Sequence, residues 1–399
     1  MTDLKGDLKV AEHSGEFRGY LAGVGESVQV IIHVEDRRIC SVRYEPQAKA
    51  GEGDSRIWIL PAVWDIQTNG RWGISFSDSN LTVQQVIQIV RAQPSLGTTR
   101  ILPTLITASR ESYLHGVRTI AEACDSDPMV NSMVAGIHLE GPAISEVDGY
   151  RGAHPAEHVR DWKFSEFREL QEASGNRIKL VTLAPERPGS EEFIRSVTSE
   201  GVVVSIGHTN ASELQIQNAV GAGARLSTHL GNGIAMQLPR HPNQIWAQAA
   251  EDRLCASLIC DGHHLSNDVI KVLARAKGPE RLILVSDHSP LAGMPVGAYG
   301  AWSVDPSGKI VVTGTPYLAG SNQNLTDGLS KLMDATGWDF EAVSSTVTTN
   351  PGRLLGMPLP FLNIGDFWEG SIWAVNEVHG SRSIKVLETW IQGEMFEVG

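Results

Sequence analysis

From Ile57 to Ser286, short apolar runs alternate with longer stretches whose apolar residues recur every three or four positions. The short runs read as buried strands and the longer stretches as amphipathic helices. The predicted strands are Ile57–Ile66, Thr99–Leu105, Met133–Leu139, Ile178–Leu183, Val202–Ile206, Leu226–His229, Ala256–Ile259 and Leu282–Ser286. Among the helices, Thr82–Ala92 places Val83, Val86, Ile87 and Val90 on one face. Glu111–Ala123, Phe164–Ala173, Glu191–Glu200, Ala211–Ala222 and Asn267–Ala276 have a similar pattern. Asn210 is placed to cap the helix from Ala211, with Glu213 three residues on. Eight strands separated by helices predict a (β/α)8 TIM-like barrel over residues 57–360. Helices Gln323–Ala335 and Glu341–Leu355 complete it.

The flanks have a different pattern. Tyr20–Gly23, Ser27–Val34 and Arg38–Tyr44 have strand composition, as do Gly370–Val375 and Val386–Gly393. Gln47–Asp54 reads as a loop. Residues 1–56 and 361–399 are therefore expected to build one small β-sandwich-like domain from both ends of the chain.

Composition narrows the function. The chain has 399 residues, 41% of them hydrophobic, which suits a globular protein. A net charge of −13 argues against a non-specific binder of nucleic acid or anionic membrane. It leaves room for an anionic small molecule met by a local positive pocket. The four cysteines, Cys40, Cys124, Cys255 and Cys260, show no paired spacing, and three of them read as buried small hydrophobes. The start, Met1–Asp7, lacks the pattern of a signal peptide, and no apolar run is long enough for a transmembrane helix. A reduced, soluble, cytoplasmic protein is expected.

Candidate chemistry gathers at strand ends. His208 and His229 each end an apolar run, and the two runs flank one helix. In a parallel sheet such ends share one edge, so the imidazoles can converge. They fit either a metal site or a pair of hydrogen-bonded core histidines. Glu140 ends another strand and is followed at once by Gly141-Pro142. Two histidines and a glutamate with an open position are a known hydrolytic zinc set. Asp287 ends the eighth strand and fits a general base and acid beside activated water, or a turn cap. Gln67 and Asn69 end the first strand, and neutral amides are poor metal ligands. One metal ion is expected, not two.

Eleven short segments together resemble the N-acetylglucosamine-6-phosphate deacetylase family of the amidohydrolase superfamily. They are Asp65–Gly70, Pro103–Thr107, His138–Pro142, Gly152–Pro155, Thr182–Glu186, Gly207–Ala211, Thr228–Leu230, Asp261–His264, Leu284–Asp287, Leu318–Ser321 and Asn350–Pro351, in the family's order. Members of that superfamily often carry His-x-His where this chain has Gln67 and Asn69. The resemblance implies that Glu140, His208 and His229 hold one divalent ion per subunit, zinc first, with iron(II) or another divalent ion as alternatives. It makes Asp287 the acid/base and His154 the group that polarises the acetamide carbonyl. It places Gln67, Asn232, Gly233, His264, Leu318, Ala319 and Gly320 at the substrate. It implies a homodimer in which Arg240 reaches the substrate phosphate from the partner subunit. The substrate implied is an amino sugar phosphate, deacetylated to glucosamine 6-phosphate and acetate. One departure stands out: Gly231–Ile234 replaces the family's usual Phe-Asn-Ala-Met. A related single-metal amidohydrolase acting on another N-acyl amino sugar or a cyclic amide is the alternative. A non-catalytic ligand-binding barrel is the second.

Overall fold

The computed structural model describes residues 15–22, 28–45, 56–357, 362–378 and 381–398. The readings of Met1–Asp7 and of the loop Gln47–Asp54 fall outside these residues. Eight strands form one sheet: β1 (Trp64–Thr68), β2 (Arg100–Ile106), β3 (Ile137–Glu140), β4 (Ile178–Leu183), β5 (Val203–Ile206), β6 (Leu226–Ser227), β7 (Cys255–Leu258) and β8 (Leu282–Leu284). They pair in sequence order, every pair parallel. Just past β8 the sheet closes on β1. Thr68 bridges His288 in parallel, and the Asp287 amide donates to the Gln67 carbonyl at 3.0 Å. The result is the predicted barrel.

Alternation along each strand sorts its residues between two environments. Leu180 points into the barrel with Trp64, Ile66, Leu102, Leu226 and Ile283. Val181 and Leu183 point outward into the layer shared with the helices, beside Phe167, Phe193 and Ile194. Near the upper rim the interior turns polar. His138 Nε2 meets Thr182 Oγ1 at 2.7 Å, and Thr182 meets Thr228 Oγ1 at 2.7 Å. Burial pushes the His138 imidazole down to about 4, so it is neutral at pH 7.

Four predicted elements differ, each for a local reason. Ile57–Ile66 is two strands: Arg56–Leu60 joins the terminal sheet, and β1 starts at Trp64. Pro61 lies between them and cannot donate to a ladder. The expected strand from Met133 begins only at Ile137, because Pro128–Met133 is helical. Asp127 caps that helix, accepting from Met129 N at 3.0 Å, with Pro128 at its first position. Glu341–Leu355 splits into Phe340–Ser344 and Thr349–Leu354, with Pro351 in the first turn of the second piece. The helix after β5 is capped by Ser212 in a capping box with Gln215, not by Asn210. The Asn210 amide is held instead by Glu186 Oε1 at 2.6 Å.

Both chain ends contribute to a separate seven-stranded sheet. Its order is Glu394–Glu397, Ser381–Ile391, Gly370–Val378, Arg56–Leu60, Gly15–Leu21, Val28–Glu35 and Arg38–Glu45. A small sheet the pattern did not predict, Gly297–Tyr299, Trp302–Val304 and Ile310–Val312, stands beside the barrel mouth. Among the described residues no helix is long and apolar enough to cross a membrane. All four cysteines are free.

Candidate functional site

The ends of β1, β3, β5, β6 and β8 meet at one rim. His208, His229 and Asp287 all stand there with positive φ, at 49°, 30° and 49°. A non-glycine residue in this region costs on the order of 1–3 kcal/mol. Three such residues past strand ends of one rim mark where the backbone has been bent to aim side chains.

Glu140 is the hub. Its Oε1 lies 3.2 Å from His208 Nε2, 3.0 Å from His229 Nε2 and 3.1 Å from Gln67 Nε2. His154 Nε2 lies 3.2 Å from His208 Nε2 and 4.0 Å from Glu140 Oε2. All five residues are buried. Burial alone would push Glu140 up, but the two imidazoles outweigh it and hold the carboxyl well below its usual range. Burial and then the neighbouring His208 push His154 well below an ordinary histidine, so it is neutral.

The far side of each ring fixes its near side. His208 Nδ1 lies 3.0 Å from the Tyr150 carbonyl, which only accepts, so Nδ1 carries the proton. Nε2 then presents a lone pair towards the Glu140 carboxylate. Two acceptors face each other, and only a cation or a proton reconciles them. His154 is the reverse case. The Thr107 backbone N–H donates to its Nδ1 at 3.3 Å, and Thr107 Oγ1 lies at 2.8 Å. That leaves the proton on His154 Nε2, aimed into the site. Glu140, His154 and His208 offer atoms within 4.8 Å of one another. The tautomers divide them: Glu140 and His208 suit a cation, and His154 suits an electronegative atom, while His229 Nε2 stands beside the first pair, 3.0 Å from Glu140 Oε1. The donor set therefore fits a divalent ion.

Asp287 sits beside this cluster. Burial, and then the charge of Glu140, raise its carboxyl to about 6. Asn69 Nδ2 donates to Asp287 Oδ1 at 2.7 Å, which leaves Oδ2 without that tie. Next to the cluster opens a cavity of about 220 Å³. Asn232, Gly233, His264, Leu318, Ala319 and Gly320 line it, as do Asp287 and His154. His264 is held at its wall by Asp261, with Nδ1 2.7 Å from Oδ2. Gln67 lies outside the lining, its amide turned to Glu140. Arg240 is exposed and lies outside the cavity of its own chain. No lysine or arginine lines the cavity among the described residues.

Several site residues had no mark in the sequence. Asn69 lines the cavity and holds Asp287, yet its type suggested only a missing metal ligand. Trp302 and Tyr317 reach the wall from the unpredicted small sheet and the segment after it. Tyr150 acts through its backbone carbonyl, which any residue possesses, and Thr107 through its backbone N–H and its hydroxyl. Gly233 does carry a signal, being one of two glycines around Asn232. Its φ is 59°, and a Cβ there would lie 2.8 Å from His208 Nδ1. Gly233→Ala is therefore expected to tilt the His208 ring off Tyr150 and weaken metal affinity by roughly 10–100-fold. Metal titration by calorimetry checks this; wild-type affinity in the variant would show that the ring has room to move.

A carboxylate, imidazoles and a second carboxylate at the C-terminal rim of a parallel eight-stranded barrel define a metal-dependent amidohydrolase. No family model matches the chain. Curated proteins do. The human N-acetylglucosamine-6-phosphate deacetylase is 33% identical over 349 residues, spanning 84% of this chain and 83% of the relative. The N-acetylgalactosamine-6-phosphate deacetylase of Escherichia coli O157:H7 is 28% identical, spanning 84% and 87%. Among solved structures, N-acetyl-D-glucosamine-6-phosphate deacetylase of Mycobacterium smegmatis in complex with N-acetyl-D-glucosamine-6-phosphate aligns with a TM-score of 0.81 at 26% identity, covering 96% of this chain and 99% of that one. The chain belongs to the N-acetylglucosamine-6-phosphate deacetylase family.

Proposed function

We propose that this enzyme deacetylates N-acetylglucosamine 6-phosphate, giving glucosamine 6-phosphate and acetate. The observation that carries the reading is the cluster: Glu140 Oε1 meets the Nε2 atoms of His208 and His229 at 3.2 and 3.0 Å, beside the His154 N–H and the Asp287 carboxylate. Glu140, His208 and His229 hold one divalent ion, zinc by ligand preference. Bound there, it supplies Lewis acidity that activates water and the acyl group. Asp287 accepts the proton of the attacking water. The His154 Nε2–H donates to the acetyl oxygen as charge builds on it. Asp287 then returns its proton to the nitrogen as the C–N bond breaks, so acetate and a free amine leave.

Site composition also bears on the other end of the substrate. An acidic chain repels a phosphate, and no cation of this chain lines the cavity among the described residues. Arg240 of a second subunit in a homodimer meets that need. Four free cysteines agree with a cytoplasmic setting. The galacto epimer is the second reading, favoured by the Escherichia coli relative and by Gly231–Ile234 in place of the usual motif. A panel of acetylated hexosamines, with and without phosphate, separates the two by kcat/KM.

One metal equivalent per chain is expected, since amides stand at positions 67 and 69 and both already hold carboxylates. Elemental analysis checks it. Two equivalents, both required for activity, would contradict the single-ion site.

A further inference from the structure

Lys277 is a buried lysine that the chemistry does not use. It is the last residue of the helix Asn267–Lys277, and 1% of its surface is exposed. Its ammonium donates to the carbonyls of Gln248 at 2.6 Å, Glu251 at 2.9 Å and Leu254 at 3.1 Å. These carbonyls belong to the end of the neighbouring helix Gln244–Ala250 and the turn after it. That helix ends without a basic residue of its own, on Glu251 in extended backbone. A helix end leaves carbonyls unsatisfied and carries partial negative charge, so a cation inserted there caps it. Burial lowers the Lys277 ammonium to about 8, which leaves it charged at neutral pH.

The other end of the same helix is clamped as well. Asn243 Oδ1 accepts from the amides of Ile245 at 3.1 Å and Trp246 at 3.3 Å. Its Nδ2 donates back to the Pro239 carbonyl at 3.0 Å. One side chain thus closes the turn Pro239–Asn243 across Arg240. The helix has seven residues, too short to hold its shape without such ends.

We propose that Lys277 and Asn243 are positioning residues, which fix the helix Gln244–Ala250 at its two ends and so hold Arg240 where it can meet the anionic end of a substrate. This rests on the reading of Arg240 as the phosphate contact. Neither residue touches substrate. Their effect is on KM for an anionic substrate and not on the chemical step.

The test compares Lys277→Met, Asn243→Ala and Arg240→Ala in the metal-loaded enzyme. The substrates are N-acetylglucosamine 6-phosphate and N-acetylglucosamine. Lys277→Met is expected to raise KM for the phosphorylated sugar about tenfold, with kcat within about twofold and kcat/KM for the plain sugar unchanged. Hydrogen exchange should quicken over residues 239–254 and not in the barrel strands. Combined with Arg240→Ala, Lys277→Met should add nothing further to KM. Should Lys277→Met fail to fold, Asn243→Ala loosens the same helix from its exposed end and must reproduce the KM effect. Unchanged KM in the folded variants, or equal losses on both sugars, would overturn the proposal. If Arg240→Ala itself leaves KM unchanged, the phosphate reading has failed. If Arg240→Ala raises KM and the two clamp variants do not, only this inference has failed.

Discussion

Asp287→Asn is expected to leave a folded, metal-loaded protein whose kcat is lower by at least about three decades. The side chain is nearly isosteric, and the Asn69 contact at 2.7 Å can be kept through the amide oxygen. What is lost is the ability to take a proton from water and give it back to the departing nitrogen. In the proposed mechanism one carboxylate serves both halves of the reaction, so its loss is felt twice. Its surroundings suit that double use. Burial and the charge of Glu140 raise it to about 6, closer to neutrality than an ordinary aspartate. Elemental analysis of the variant separates lost chemistry from lost metal. A rate near that of the wild type would remove Asp287 from the acid/base role.

Arg240→Ala is expected to raise KM for the phosphorylated substrate by about one to three decades, with little change in rate on the unphosphorylated sugar. The range corresponds to roughly 1.5–4 kcal/mol for a charge-assisted contact in a partly enclosed site. The family resemblance points to this residue, and charge explains the need for it. The cavity of one chain is lined by histidines, asparagines and apolar groups, with acidic residues at its floor and no lysine or arginine among the described residues. A net charge of −13 makes the surrounding field unfavourable to a phosphate. A guanidinium offers paired donors that match phosphate oxygens, which a lysine does not. Because Arg240 is outside its own chain's cavity, the proposed contact requires a second subunit. Sedimentation of the active enzyme checks that part. A fully active monomer would exclude the cross-subunit contact, and equal losses on both sugars would reduce Arg240 to a loop residue.

The candidate rim was readable in the sequence because each key residue interrupts an apolar run at its end. Glu140 after Ile137-His-Leu, His208 after Val203–Ile206 and Asp287 after β8 are polar where burial would favour the opposite. The strand–helix alternation then placed them on one edge. What escaped was set by contacts distant in sequence. Nothing in the residues shows that the Tyr150 carbonyl orients His208, or that Thr107 sets the tautomer of His154. Both depend on the paths of loops. Ile57–Ile66 looked like one strand because its apolar character runs unbroken through Pro61, although its halves lie in different sheets. The sheet carrying Trp302 consists of strands of three residues each, too short for a period to show. The amides at positions 67 and 69 were legible only as poor metal ligands. That Asn69 instead holds Asp287 required the folded geometry.

The proposed function is tested most simply by acetate release from N-acetylglucosamine 6-phosphate, using the purified, metal-loaded enzyme, with N-acetylglucosamine at equal concentration alongside. Stoichiometric acetate and free amine are expected from the phosphorylated sugar. Its kcat/KM should be at least about tenfold above that for the plain sugar, the smallest effect expected of one charge-assisted phosphate contact. No acetate from either sugar, with one metal ion bound and Asp287 intact, would contradict the assignment.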